Sequence, residues 1–184
     1  DRFGYSVAIS LSSNSAIVGA YAEDDAGGNS SGKAYIFNIT TGALLHTLDN
    51  PTASGTSTND NFGYSVAISG NTAIVGAYSQ ADEGKAYIYN VTTGALVHTL
   101  DDPSARIVPN FFLGSTVAIN GNKAIVGAFG EADAGGARSG KAYIYTMTST
   151  SISGFSGNVV DVFDIELKEN NFSNSSNNLL TIRS

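Results

Sequence analysis

Residues 62–99 read FGYSVAISGNTAIVGAYSQADEGKAYIYNVTTGALVHT, a unit of four strokes. In SVAIS, Val66 and Ile68 alternate with Ser65, Ala67 and Ser69, the two-residue period of a half-buried strand. Gly70-Asn71 is a hairpin turn, where positive φ costs these residues little. AIVGAY is small and apolar throughout, as an inner strand covered on both faces requires. Gly76 within it removes a side chain where another backbone must come close. GKAYIY alternates again, with Tyr87 and Tyr89 on one face and Ile88 on the other. Thr92-Thr93-Gly94 then turns the chain into ALVHTL, an outer strand with one side toward water, where His98 and Thr99 are tolerated.

The unit recurs on both sides. Upstream stand FGYSVAIS (3–10), AIVGAY (16–21), GKAYIF (32–37) and TTGALLHTLD (40–49). Downstream stand FLGSTVAIN (112–120), AIVGAF (124–129) and GKAYIY (140–145). The spacing between copies is unequal while the motifs stay constant, so rigid strands are joined by loops that accept insertions. A period of about 50–60 residues built from four strands is that of a propeller blade. The expected fold is therefore all-β, with β-propeller-type blades of four antiparallel strands and about three repeats. Repeat one spans 1–49, repeat two 60–101 and repeat three 111–145, the last without its outer strand. Three blades are too few for a ring, so they form an incomplete ring or part of a larger propeller or assembly. The segment 146–184 diverges. Within it 159–168 alternates as a strand, either supplying the missing outer position or starting a different region, and the Asn/Ser-rich stretch after it reads as loop or poorly ordered.

Composition narrows the possibilities further. The chain has 184 residues and 18.9 kDa, 42% hydrophobic and only 14% charged, with 21 Gly and 3 Pro. Charge that sparse, with Gly, Ser, Thr and Asn in its place, suits short strands and tight turns rather than helices. A net charge of −7 and nine scattered basic residues exclude a nucleic-acid partner on electrostatic grounds. With no cysteine there is neither disulfide framework nor thiolate chemistry. No apolar run is long enough for a membrane helix, so membrane insertion is not expected. The sequence opens inside a repeat (DRFGY) with no initiating Met and no signal peptide, which points to a fragment, a processed product or part of something longer.

Two motifs recur in fixed order: Phe3-Gly4, Phe62-Gly63 and Leu113-Gly114, followed by Gly19-Ala20-Tyr21, Gly76-Ala77-Tyr78 and Gly127-Ala128-Phe129. With SVAI and GKAYI beside them, residues 1–145 resemble the FG-GAP repeat family, best known from the β-propeller head of integrin α subunits and from bacterial and viral surface proteins. The resemblance implies a propeller with its loops on one rim, often with Ca²⁺ in a DxDxDG loop. The corresponding segments here run from Glu23 to Asn29 and from Glu131 to Gly136, with a shorter Asp82-Glu83-Gly84 in repeat two. The candidate Ca²⁺ residues are accordingly Glu23, Asp24, Asp25 and Asn29 in the first loop and Glu131 and Asp133 in the third. None of these loops spells the full ligand pattern, and the competing reading is a solvated acidic turn capped by Gly. The TTGALLHTL segments are similar to the outer strand of quinoprotein-type repeats but lack its Trp, so no quinone cofactor is implied.

No catalytic set stands out. His46 and His98 occupy the same repeat position, which favours a structural or surface role, and no Ser is distinguished from its repeat equivalents. Asp101-Asp102 before Pro103 matches Asp49-Asn50 before Pro51, as turn formers do. Tyr64, Tyr78, Tyr87 and Tyr89 read as packing residues, with Tyr21, Tyr78 and Phe129 available to line a rim. The N-x-S/T sites at Asn29, Asn38, Asn90, Asn171 and Asn174 matter only in a secreted eukaryotic chain. The expected function is a non-enzymatic, extracellular or surface-exposed module, a structural or adhesive component of a filament, fibre or virion surface. Its partners are then other protein chains, through self-association or a larger assembly, and a glycan or cell-surface receptor. The alternative is a glycan- or protein-binding module with Ca²⁺-dependent loops; an enzyme domain on a propeller scaffold ranks last.

Overall fold

A computed structural model describes residues 1–24, 28–51, 59–80, 83–101, 112–131, 138–149 and 163–166. Blade one consists of β1 (Ser6–Ser10), β2 (Ser15–Ala20), β3 (Lys33–Asn38) and β4 (Leu44–Asp49). Blade two consists of β5 (Phe62–Ser69), β6 (Thr72–Ala77), β7 (Lys85–Asn90) and β8 (Leu96–Leu100). Blade three consists of β9 (Leu113–Asn120), β10 (Lys123–Ala128), β11 (Lys141–Ser149) and β12 (Phe163–Glu166). Each is an antiparallel meander in chain order, and no helix occurs among the described residues. The fold is all-β, as the repeats imply, and the three sheets do not close a ring.

Register repeats with the sequence. Val18 faces Tyr35, Val75 faces Tyr87 and Val126 faces Tyr143. The outer strands of blades one and two pair alongside Lys33–Phe37 and Ala86–Tyr89, each with a bulge at the same place. Blade three departs from this. β11 runs past the length of β3 and β7, and β12 pairs with its last four residues, from Thr146↔Glu166 to Ser149↔Phe163. The fourth strand of blade three is therefore displaced along its neighbour relative to β4 and β8. The rest of the 159–168 run lies outside the described residues.

The period-two pattern gives every blade two different apolar faces, and blades stack face to back. One face of blade one (Ile17, Ala34, Ile36, Leu48) packs on Val66, Ile68, Val75, Tyr87 and Tyr89 of blade two. The opposite face of blade two (Ile74, Ala86, Ile88, Leu100) packs on Val126, Tyr143, Tyr145 and Met147 of blade three. The two Tyr positions thus face backward and the intervening Ile forward, as their alternation in GKAYIY requires. Among the described residues no other blade covers the back face of blade one. Phe3, Val7 and Ile9 are 58%, 67% and 62% exposed, whereas Val66 and Ile68 at the same repeat positions are 8% exposed. Burying a side chain of this size stabilises by about 1.5–3 kcal/mol.

The blades approach closely through paired glycines. The Ser6 hydroxyl donates to the Gly63 carbonyl at 2.8 Å, and the Ser65 hydroxyl to the Gly114 carbonyl at 2.7 Å. The same carbonyls press on the strand glycines: a Cβ on Gly19 would lie 2.0 Å from the Gly63 oxygen, and one on Gly76 2.0 Å from the Gly114 oxygen. Gly76 is glycine because the next blade's backbone fills the space of its side chain. Gly76→Ala should therefore lose about 1–3 kcal/mol of stability by forced separation of packed elements. Gly127→Ala should lose clearly less, because its Cβ would meet only the rotatable Thr116 hydroxyl inside 3.6 Å. Denaturant unfolding of both variants checks this; equal losses would show that the glycine does not set the blade spacing.

Candidate functional site

The loops that follow the second strand of each blade share one rim. Each is closed at its base by a backbone bond, Gly32 N–H to the Glu23 carbonyl (2.9 Å), Gly84 N–H to that of Gln80 (2.8 Å) and Gly140 N–H to that of Glu131 (2.8 Å). A side-chain bond repeats beside it. The Tyr35 hydroxyl donates to the Glu23 carboxylate at 2.7 Å, Tyr87 donates to Gln80 Oε1, and Tyr143 donates to Glu131 Oε2. A tyrosine body in the core with its hydroxyl at the sheet end needs an acceptor, and the loop's first polar side chain supplies it. Burial pushes the Tyr35 hydroxyl pKa well up, helped by the bond to Glu23 and the charges of Glu23 and Asp49.

Blade two uses an amide where the others use carboxylates, and its surroundings explain why. Asn50 Nδ2 donates to the buried Asp60 carboxylate at 2.7 Å, and Gln80 Nε2 donates to Asn50 Oδ1 at 3.4 Å. Gln80 both accepts from Tyr87 and donates onward, which an ionised glutamate cannot do. In blade three Glu131 is 1% exposed and its charge is met by Lys141. In blades one and two the equivalent Lys33 and Lys85 pair instead with Asp49 and Asp101 across the outer strand. Two aspartates read from sequence as turn formers are thus also ion-pair partners.

The candidate Ca²⁺ residues scatter over this frame. Glu23 and Glu131 sit at the loop bases with their carboxylates occupied by tyrosine hydroxyls. Asp24 is exposed and its Oδ1 accepts the Ser30 N–H at 2.7 Å. The Asn29 carbonyl accepts the Asn59 N–H at 3.0 Å. Asp25, Asp133 and Asp82 lie outside the described residues. Among the described residues no group of three or more His, Asp or Glu is placed to hold a metal. By themselves they do not make the cage of six or more oxygens that Ca²⁺ takes.

Next to the loops runs a line of aromatic rings that crosses all three blades. Tyr5 and Tyr21 are 4.6 Å apart between centroids, Tyr21 and Tyr64 5.1 Å, and Tyr64 and Tyr78 4.3 Å. Tyr78 continues to Phe112 at 5.9 Å, which stacks on Phe129 at 4.7 Å. The Arg2 guanidinium lies 5.2 Å from the Tyr21 centroid. Tyr5 and Phe129, at the two ends, are exposed, while Tyr87 and Tyr89 belong to the core. The rim role of Tyr21, Tyr78 and Phe129 was visible at the strand ends. Tyr5, Tyr64 and Phe112 join the line because the turn before each first strand folds back beside them, and the FGY repeat at Tyr5 and Tyr64 is the signal that could have found it. The Tyr64 pKa is pushed up to about 12, first by its hydrogen bond with Tyr5, then by burial and the neighbouring tyrosines.

His46 takes a structural place. Its Nε2 lies 3.1 Å from the Thr92 carbonyl in the turn of blade two, and its ring backs onto Gly94.

Two outcomes follow from this geometry. Tyr64 holds its proton more tightly folded than unfolded, so its stabilisation is complete below the ordinary value of 10 and is lost as pH rises through about 12. Phenolate absorbance titration should show late-ionising tyrosine, and Tyr64→Phe should remove one equivalent of it; an unchanged late phase would contradict the assignment. Glu131→Ala, which strands Lys141 and Tyr143 around a buried gap, should cost about 3–5 kcal/mol. Asp24→Ala on the exposed loop should cost under about 1 kcal/mol, both read by thermal or denaturant unfolding.

No curated protein matches the chain. The family model for the FG-GAP repeat matches three stretches, residues 1–37, 51–89 and 110–145, each of which corresponds to the first three strands of one blade. The turn glycines, the stacked strand glycines and the loop-base tyrosines recur within those same stretches. The chain belongs to the FG-GAP repeat family.

Proposed function

We propose that the chain is a non-enzymatic, extracellular or surface-exposed propeller-type module that serves as a structural or adhesive part of an assembly such as a filament, fibre or virion surface. The observation that supports this is the regularity of the scaffold. In blade after blade the polar side chain at the loop base is consumed by the third-strand tyrosine, and no repeat is set apart by a polar constellation of its own among the described residues. Sedimentation velocity over a concentration series tests the reading. Mass that rises with concentration supports it, and a single-chain mass throughout overturns self-assembly.

A second reading, a glycan- or protein-binding module, is favoured by the aromatic line, because exposed rings offer flat apolar surface to a sugar or to an apolar side chain. Titration calorimetry against a glycan panel, with Tyr5→Ala and Phe129→Ala as controls, separates it from the first. Calcium enters this reading through Asp24, Asp25 and Asn29. A melting temperature that rises with millimolar Ca²⁺ and loses that rise in the Asp24→Ala/Asp25→Ala double variant supports the first loop as the site; a curve unaltered between Ca²⁺ and EDTA removes it.

A further inference from the structure

Four of the nine tyrosines stand together where blade one meets blade two. Tyr5 and Tyr21 belong to the first repeat, Tyr64 and Tyr78 to the second. The other five serve the scaffold. Tyr35, Tyr87 and Tyr143 donate to Glu23, Gln80 and Glu131, and Tyr89 and Tyr145 donate to the Asp49 and Asp101 carbonyls at 3.4 and 3.3 Å. The four at the rim meet one another instead. Tyr64 is the centre of the group, its ring centroid 5.0 Å from that of Tyr5, 5.1 Å from Tyr21 and 4.3 Å from Tyr78.

Such a group is a place from which electrons can be taken. Phenols rank with thiols, thioethers and indoles as the side chains that a one-electron oxidant attacks. This chain has no cysteine, no tryptophan and a single methionine, Met147, which is buried between blades two and three. Oxidation along the rim therefore settles on tyrosine, and rings in contact pass the electron vacancy among themselves. The four positions are not equal. The Arg2 guanidinium donates to the Tyr21 hydroxyl and lies 5.2 Å from its ring centroid, and a cation so placed opposes loss of an electron there. Tyr5 and Tyr64 meet at their hydroxyl ends, joined by a hydrogen bond, with their rings inclined at 42°. The ring carbons ortho to each oxygen flank that contact. The two centroids stand little further apart than those of two phenol rings bonded directly to each other.

We propose that Tyr5 and Tyr64 are a cross-linking site, joined ring to ring as a dityrosine across the blade boundary when the chain meets a haem peroxidase and hydrogen peroxide. Each phenol gives up one electron and its hydroxyl proton. The two radicals then bond through one ortho carbon of each ring, and the proton on each of those carbons moves to its own ring's oxygen as aromaticity returns. The two electrons and two protons released reduce one hydrogen peroxide to two waters. The bond closes the chain from Tyr5 to Tyr64 into a loop and restricts the unfolded state, as a disulfide does where cysteines are present. This goes beyond the assembly reading and holds whether or not the chain self-associates.

The test treats the whole chain, dilute, with a haem peroxidase and hydrogen peroxide. Expected are the blue fluorescence of dityrosine, a single-chain mass short by two hydrogens, and, after proteolysis, a cross-linked peptide pair that joins Tyr5 to Tyr64. The joined chain should melt several degrees above the untreated one. Tyr5→Phe should keep the circular dichroism of the wild type while losing both that peptide pair and the rise in melting temperature. The same treatment in concentrated urea should lose the pair too, because stacked blades bring the rings together. Cross-links found only between chains, or only at other tyrosines, overturn the site. Equal yield of the Tyr5–Tyr64 pair in urea also overturns it, since chance encounter and not the fold would then make the bond. A joined chain that melts no higher overturns the stabilising role.

Discussion

The glycine-to-glycine approach between blades governs the rest of the molecule. A carbonyl pressed against a strand Cα needs three things at once: no side chain on that strand, a left-handed turn to aim the oxygen, and a hydroxyl to satisfy it. Gly76, Gly114 and Ser65 supply these in one boundary, and Gly19, Gly63 and Ser6 in the other. Once the backbones are this close, the side chains around them have little freedom. Face-to-back packing of Ile36 or Ile88 against paired tyrosines then fills the layer that this spacing leaves.

The loops are held by a second, independent device. A tyrosine hydroxyl rising from the third strand meets the polar residue that opens the loop, so loop length can vary while the two ends stay fixed. That residue is Glu23, Gln80 or Glu131 according to the charge already present nearby. Asp60 buried beside blade two makes the neutral amide the better choice, and Lys141 beside Glu131 makes the carboxylate acceptable in blade three. The acidic character of these loops is thus partly scaffold chemistry. Residues suggestive of a cation site when read in line are, for two of the six, loop-base acceptors.

Much of the architecture was legible in the sequence because its cause is local. Alternation in SVAIS and GKAYIY assigns faces, and a glycine inside an apolar strand declares close contact wherever the strand lies. What escaped depends on distance along the chain. Tyr87 finds Gln80, and Tyr35 finds Glu23, across loops of different length, and no fixed spacing announces the pair. Gln80 was invisible to a search for carboxylates although it fills the same role. The alternation around Phe163–Glu166 suits a strand, but the displacement of β12 along an overlong β11 is set by pairing, which periodicity does not encode. The aromatic line escaped for a similar reason: its rings come from two motifs in three blades and meet only after stacking.

Face-to-back stacking also has a direction along the chain. At both described boundaries the bare strand glycine and the hydroxyl belong to the earlier blade, and the carbonyl they receive belongs to the later one. A repeat that carries the hydroxyl and bare strand on one face and the left-handed turn on the other holds both halves of the contact, so duplication or loss of one such repeat leaves the boundaries around it matched.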